Sequence, residues 1–253
     1  MADRDAILQA LITLSRRIGD PDWDCAILGE GNTSARVDDQ TFWVKASGKE
    51  LRTADFSTFV EADFARVLAI LDLAELSDEG IKNKLIEAKT NPADPLRPSV
   101  ETILHALALT LGGANFVAHT HPTSVNSILC SQKAEEAFAG RLFPDEIVIC
   151  GVAPVYIPYT DPGLPLARRI KAELIAYQHT YRENPKVILI QNHGLVALGR
   201  TVQEAENITL MMDKVARILL GSYALGGPHF LSQSQVARIH TRPDEAYRRQ
   251  LLR

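Results

Sequence analysis

The 253-residue chain sets 27 Lys and Arg against 31 Asp and Glu, a formal net charge of −4, and is 46% apolar and 23% charged. These values describe a globular protein with a sizeable core, in one large domain or two small ones, and exclude a general role on nucleic acid or a membrane surface. Three widely spaced cysteines (Cys25, Cys130, Cys150) make neither a disulfide framework nor a CxxC pair, and no signal peptide or membrane-length apolar run is read; a reducing, cytoplasmic setting is therefore expected.

In chain order, residues 3–18 place Ile7, Leu8, Leu11, Ile12, Leu14 and Ile18 on one stripe before Gly19, predicting an amphipathic helix. After the Asp20-Pro21-Asp22 turn, Ala26–Leu28 leads into Gly29-Glu30-Gly31-Asn32-Thr33-Ser34. The glycines permit a positive φ or a close backbone approach to a ligand, with Asn32 and Ser34 as side-chain donors beside them. Residues 35–37 and 41–45 read as a hairpin, followed by a second small-residue loop at Ser47-Gly48. The two loops either frame an anion or hydroxyl pocket or are ordinary hairpin turns, since neither matches a phosphate-loop or dinucleotide fingerprint. Residues 55–72 predict a short strand and then a helix, and the polar stretch 75–97 a surface excursion, partly helical at 79–88.

Pro98-Ser99-Val100-Glu101 opens the next helix, with Ser99 as its cap and Val100, Ile103, Leu104, Leu107 and Leu111 as its buried stripe. Glu101 and His105 lie four apart on a flanking face; an acid there is favoured by the helix dipole, and His105 reads as a packing or supporting residue rather than a ligand. Residues 114–121 form a strand running into His119-Thr120-His121-Pro122. Residues two apart on a strand share a face, so the imidazoles of His119 and His121 project together and make half of a metal site. Further on, 124–132 and 135–138 read as short helices, 146–150 and 152–157 as strands, and Pro158–Gly163 as a rigid loop carrying Tyr159. A helix at 164–181 precedes strands at 187–190 and 195–198, pinched around Gln191-Asn192-His193-Gly194. Thr201 and Glu204 form a capping box for a helix at 202–220, and the tail from 221 reads as Gly-rich and then polar.

His193 at the end of its own strand gives a three-histidine set, which leaves a coordination position open as a catalytic metal requires. Such a site suits Zn²⁺, Mn²⁺ or Co²⁺, and tetrahedral nitrogen ligation favours Zn²⁺.

Five motifs in order, Gly31-Asn32-Thr33-Ser34, Ser47-Gly48, Pro98-Ser99-Val100-Glu101, His119-Thr120-His121-Pro122 and Gln191–Gly194, resemble the class II aldolase/adducin family. The surrounding wording (GEGNTS, FWVKASG, RPSVETILHA, AHTHP) is similar to the aldolase domain that bifunctional sugar-degrading proteins fuse to a short-chain dehydrogenase; no dinucleotide fingerprint is present here. The resemblance implies an α/β fold, a three-layer α/β/α domain with a mostly antiparallel central sheet, spanning 1–253 with its core at about 5–220 and a tail at 221–253. It also implies a homotetramer with active sites between subunits and a sugar or sugar-phosphate substrate. The activity it implies is aldehyde-lyase: retro-aldol cleavage of a ketose or ketose phosphate through a zinc-stabilised enediolate. The rivals are a sugar-phosphate 4-epimerase or dehydratase, and a non-catalytic adducin-like module.

By the same resemblance His119, His121 and His193 hold Zn²⁺, and Glu101 moves the proton at the reacting carbon. Tyr159 of a neighbouring subunit protonates the aldehyde oxygen, Gly31, Asn32, Ser47, Gly48 and Ser99 match the loops that hold the substrate's phosphate, and Ser34 is a further substrate-binding residue. Two departures weigh against a phosphorylated substrate: Val100 stands where many relatives carry a second hydroxyl, and Glu30 sets a negative charge beside the glycine loop unless it points away.

Overall fold

A computed structural model describes residues 3–74 and 76–251; residues 1, 2, 75, 252 and 253, at the ends of the expected domain and within the 75–97 excursion, lie outside the described residues. The stripe read at the N-terminus forms α1 (Arg4–Ile18), capped by the Asp3 carboxylate, with Leu8, Leu11, Ile12, Leu14 and Ile18 buried. The hairpin follows as β1 (Asn32–Arg36) and β2 (Thr41–Lys45), then β3 (Phe59–Asp63), α2 (Phe64–Ala69) and α3 (Asp78–Glu87). Next come α4 (Thr102–Thr110), β4 (Phe116–Thr120), α5 (Thr123–Leu129), α6 (Ala134–Ala137), α7 (Pro144–Cys150) and β5 (Val155–Ile157). The chain closes with α8 (Leu164–Tyr181), β6 (Val187–Ile190), β7 (Gly194–Gly199), α9 (Val202–Ala224), α10 (Gln233–Thr241) and α11 (Pro243–Leu251).

The seven strands form one sheet in the order β3-β2-β1-β4-β7-β6-β5. Every pairing is antiparallel except β5 with β6, so the expected mostly antiparallel α/β architecture is found. Alternation along the central strands sends Val117, Val196 and Leu198 to a layer built from α2, α3, α4 and α8. Their neighbours Ala118, Leu195 and Ala197 meet α1, α5 and α9 on the opposite face. Among the described residues no helix is long and apolar enough to cross a membrane, and Cys25, Cys130 and Cys150 are free thiols.

Three expectations are corrected. Residues 146–150 are helix, not strand: Pro144 sits in the first turn, Asp145 and Glu146 favour that end, and Gly151 at φ +80° stops the helix. The β-branched run 147–149 imitated a buried strand. The tail, read as Gly-rich and then polar, carries helix: α9 runs on to Ala224, and Ser232 and Gln235 form a reciprocal capping box for α10. Ser99 does not cap α4; the N-cap is Glu101, without a side-chain cap bond. At α9 the box is half made: Thr201 accepts from the Glu204 N–H at 3.1 Å, while Glu204 accepts from the Arg200 N–H at 2.8 Å.

Glu146 also forms a buried ion pair at the start of the short helix α7. It receives Arg141 Nη1 at 2.9 Å and the Leu142 N–H at 2.7 Å, and Arg141 Nε reaches the Gly151 carbonyl at 2.9 Å. Removing one partner strands the other's charge away from water. Glu146→Ala is therefore expected to cost about 3–5 kcal/mol in urea denaturation, and a loss near the ~1 kcal/mol of an exposed pair would contradict the buried-pair assignment.

Candidate metal and proton-transfer site

The site lies where the centre of the sheet meets the first turn of α4. Register places Asn32 opposite His119 and Ser34 opposite Val117, so Asn32, Ser34, Val117 and His119 all face the α4 layer. Glu101 comes down on the same face from the N-cap of α4. His121 follows one residue beyond β4, and His193 sits in the turn between β6 and β7. Backbone fixes that turn: Asn192 is left-handed at φ +54°. The Gln191 N–H reaches the Ile157 carbonyl at 2.9 Å, the Asn192 N–H that of Leu129 at 3.2 Å and the His193 N–H that of Ile190 at 3.1 Å. Asn126 Nδ2 donates to the His193 carbonyl at 3.0 Å. Gly194 is required by crowding, since a Cβ there would stand 2.6 Å from His121 Cδ2 and 2.6 Å from the Thr120 carbonyl oxygen.

The three imidazoles converge through their Nε2 atoms. His119 Nε2 is 3.2 Å from His193 Nε2 and 3.3 Å from His121 Nε2, and one ligand atom from each ring lies within 4.8 Å of the others. Nitrogens bound at 2.0–2.1 Å around a tetrahedral ion lie about 3.3–3.4 Å apart, so the donor set fits a divalent cation. The outer nitrogens are committed elsewhere: His119 Nδ1 donates to the Leu195 carbonyl at 2.9 Å, and His121 Nδ1 donates to Glu30 Oε2 at 3.0 Å. Those bonds select the tautomer that leaves each Nε2 lone pair pointing inward.

Glu101 closes the cluster, its Oε1 lying 2.9 Å from His193 Nε2 and 3.3 Å from His119 Nε2. Burial alone would raise its pKa, but the two imidazoles outweigh burial and hold the carboxyl well below the usual range. Burial likewise disfavours a charged His119; Glu101 outweighs it and the net shift is upward. His121 shifts downward, through burial and then the neighbouring His119. Behind Glu101 runs a buried polar chain. Asn32 Nδ2 donates to Glu101 Oε2 at 2.5 Å, His105 Nε2 donates to Asn32 Oδ1, and the Ser34 hydroxyl donates to His105 Nδ1 at 2.6 Å. Complete burial pushes the His105 pKa down to about 3 and keeps the ring neutral, which is the form this donor–acceptor order needs.

The expected substrate-binding residues divide into two groups. Asn32 and Ser34 are buried and spend their polar atoms on the chain behind Glu101, so the structure does not present them to a ligand. Gly31, at φ +66°, packs against the strand of the histidines, where a Cβ would stand 2.8 Å from the His119 carbonyl oxygen. Ser47 and Gly48 are exposed. The Ala46–Pro98 bridge and the Ser47 N–H bond to the Arg97 carbonyl (2.9 Å) place them beside Ser99. Ser99 Oγ is buried without a hydrogen-bond partner among the described residues. Tyr159 is 59% exposed. Its hydroxyl donates to Asp161 at 3.1 Å, while its N–H reaches Gln191 Oε1 at 3.2 Å.

Sequence reasoning missed Lys45 and Asn126, and gave Gln191 no role beyond its place in the Gln191–Gly194 motif. Buried Lys45 donates to the Gly29 carbonyl at 3.0 Å and the Lys49 carbonyl at 2.5 Å, joining the two glycine loops. A lysine at the end of a strand beside two such loops was the available signal. Nothing local marks Asn126, and the partners of both Asn126 and Gln191 are distant in sequence.

The profile of the class II aldolase and adducin N-terminal domain matches residues 9–220. An uncharacterized oxidoreductase, YuxG of Bacillus subtilis, is 28% identical over 74% of this chain, which spans only 26% of that relative's length. A methylthioribulose-1-phosphate dehydratase of Geobacillus kaustophilus is 32% identical, over 73% of this chain and 77% of the relative. Among solved structures, the N-terminal class II aldolase domain of a conserved protein from Thermoplasma acidophilum superposes with a TM-score of 0.66 at 27% identity, covering 87% of this chain and 96% of that one.

Proposed function

This chain belongs to the class II aldolase and adducin family, and from that premise we propose that it is a metal-dependent aldehyde-lyase acting on a ketose or ketose phosphate. The observation that carries the reading is the meeting of three inward Nε2 atoms with the Glu101 carboxylate. His119, His121 and His193 would hold a divalent cation, Zn²⁺ in the first instance, which when bound supplies Lewis acidity toward the oxygens of the substrate. Glu101, held from behind by Asn32 and on its other oxygen against the imidazoles, would take and return the proton at the reacting carbon. Ser47, Gly48 and Ser99 would line the approach and orient the substrate, with the unpaired Ser99 hydroxyl as a donor for an oxygen-rich group. Tyr159 would serve the leaving aldehyde oxygen of a neighbouring subunit in a homo-oligomer, since within one chain its hydroxyl is turned to Asp161.

A second reading is dehydration of a ketose phosphate at the same residues. It is favoured by the similarity to the Geobacillus kaustophilus dehydratase. Metal analysis of the isolated protein and a screen of free and phosphorylated ketoses test both. Metal together with a released aldehyde product is expected. Loss of water without carbon–carbon cleavage would install the dehydratase, epimerisation alone would displace both, and metal-free protein inert in the screen would return the reading to an adducin-like module.

A further inference from the structure

The two adjacent ligands of the proposed metal site are held in different ways. His119 lies inside β4, and the neighbouring β7 supplies the Leu195 carbonyl that its Nδ1 meets at 2.9 Å. His121 lies one residue past the end of β4, where the ladder offers its ring no carbonyl. The segment 25–30 takes over that task. The His121 N–H donates to the Cys25 carbonyl at 2.8 Å, and His121 Nδ1 donates to Glu30 Oε2 at 3.0 Å. Glu30 is itself fixed: its Oε1 receives the Ile27 N–H at 2.7 Å, its own N–H returns to the Ile27 carbonyl at 3.2 Å, and Leu28 at the tip is left-handed at φ +52°.

We propose that Glu30 is a positioning residue for the metal ligand His121, a carboxylate that fixes the ring's tautomer and aim and makes its inward nitrogen a stronger donor. The inference rests on the metal-enzyme reading above and assigns a role to a charge that otherwise looks hostile to a phosphate. Because Glu30 Oε2 is turned to His121, its charge is engaged with the imidazole rather than directed into the glycine loop. Neither Gly29 nor Gly31 could do this, having no side chain.

The test is Zn²⁺ affinity, measured by competition with a chromophoric chelator on metal-free wild type, Glu30→Gln and Glu30→Ala, alongside the melting temperature of each metal-free protein. Glu30→Ala is expected to weaken Zn²⁺ binding about 10–100-fold. Glu30→Gln keeps an acceptor without the charge and is expected to fall between the two. Melting temperatures of the metal-free proteins should stay together. Wild-type affinity in Glu30→Ala overturns the proposal, as does a lowered melting temperature with unchanged affinity, which would mean that Glu30 only holds its loop. Wild type that binds no Zn²⁺ overturns the metal-enzyme reading itself and is told apart by that control.

Discussion

Glu101→Gln is expected to lower turnover about 10²–10⁴-fold while leaving metal content near the wild-type value. The side chains have the same shape, so the difference lies in the donors and acceptors. Asn32 Nδ2 donates to Glu101 Oε2, and Asn32 cannot turn over because its Oδ1 receives His105 Nε2, whose ring is fixed in turn by Ser34. A glutamine must therefore offer its carbonyl oxygen to Asn32 and direct its amide N–H groups toward His119 and His193. The atom that should take the proton becomes a donor with no basicity. The three ring nitrogens that would hold the cation are untouched, which is why metal content should hold. The checks are steady-state turnover on the substrate found in the screen and metal analysis of the same preparation; retained turnover would remove Glu101 from the proton transfer.

The same buried chain shows what could be read from the sequence and what could not. His119 and His121 were legible because a strand's period of two forces them onto one face, and His193 because a Gly-flanked histidine ended an apolar run. His105 was read as a supporting residue, and the structure places it two bonds behind Glu101. Asn32 and Ser34 were read as ligand-facing because they follow two glycines. Which face of β1 they occupy depends on its register with β4, a non-local fact, and that register turns them inward toward His105. Glu30 was visible as a misplaced charge, but its partner is 91 residues away, and no local pattern could have found it. The sheet's antiparallel character came from the motif resemblance. The helix at Pro144–Cys150 was misread because a β-branched run outweighed the proline and acids at its start. Local signals were present in that case and were given too little weight.

His193→Ala is expected to abolish both metal retention and turnover while leaving the fold intact. His119 is fully buried and packed, so truncating it would mix metal loss with a cavity. His193 is only partly buried, and its turn is held by backbone and by Asn126 rather than by its ring. It is also the sole ligand contributed from the β6–β7 side of the site, the other two being neighbours at the end of β4. Two imidazoles one residue apart cannot surround an ion from separate directions, so the loss of affinity should exceed the roughly 10–100-fold expected for removing the carboxylate behind a ligand. After dialysis the variant should carry almost no Zn²⁺, and its melting temperature should match that of metal-free wild type, since metal binding stabilises only the folded form that holds it. A variant that keeps its full metal content would show that the cation is held elsewhere. Together with Glu101→Gln this separates the two tasks of the site: one variant keeps the metal and loses the proton carrier, and the other keeps the proton carrier and loses the metal. A mechanism in which Glu101 and the cation act on the same substrate requires both to be inactive, for different measurable reasons.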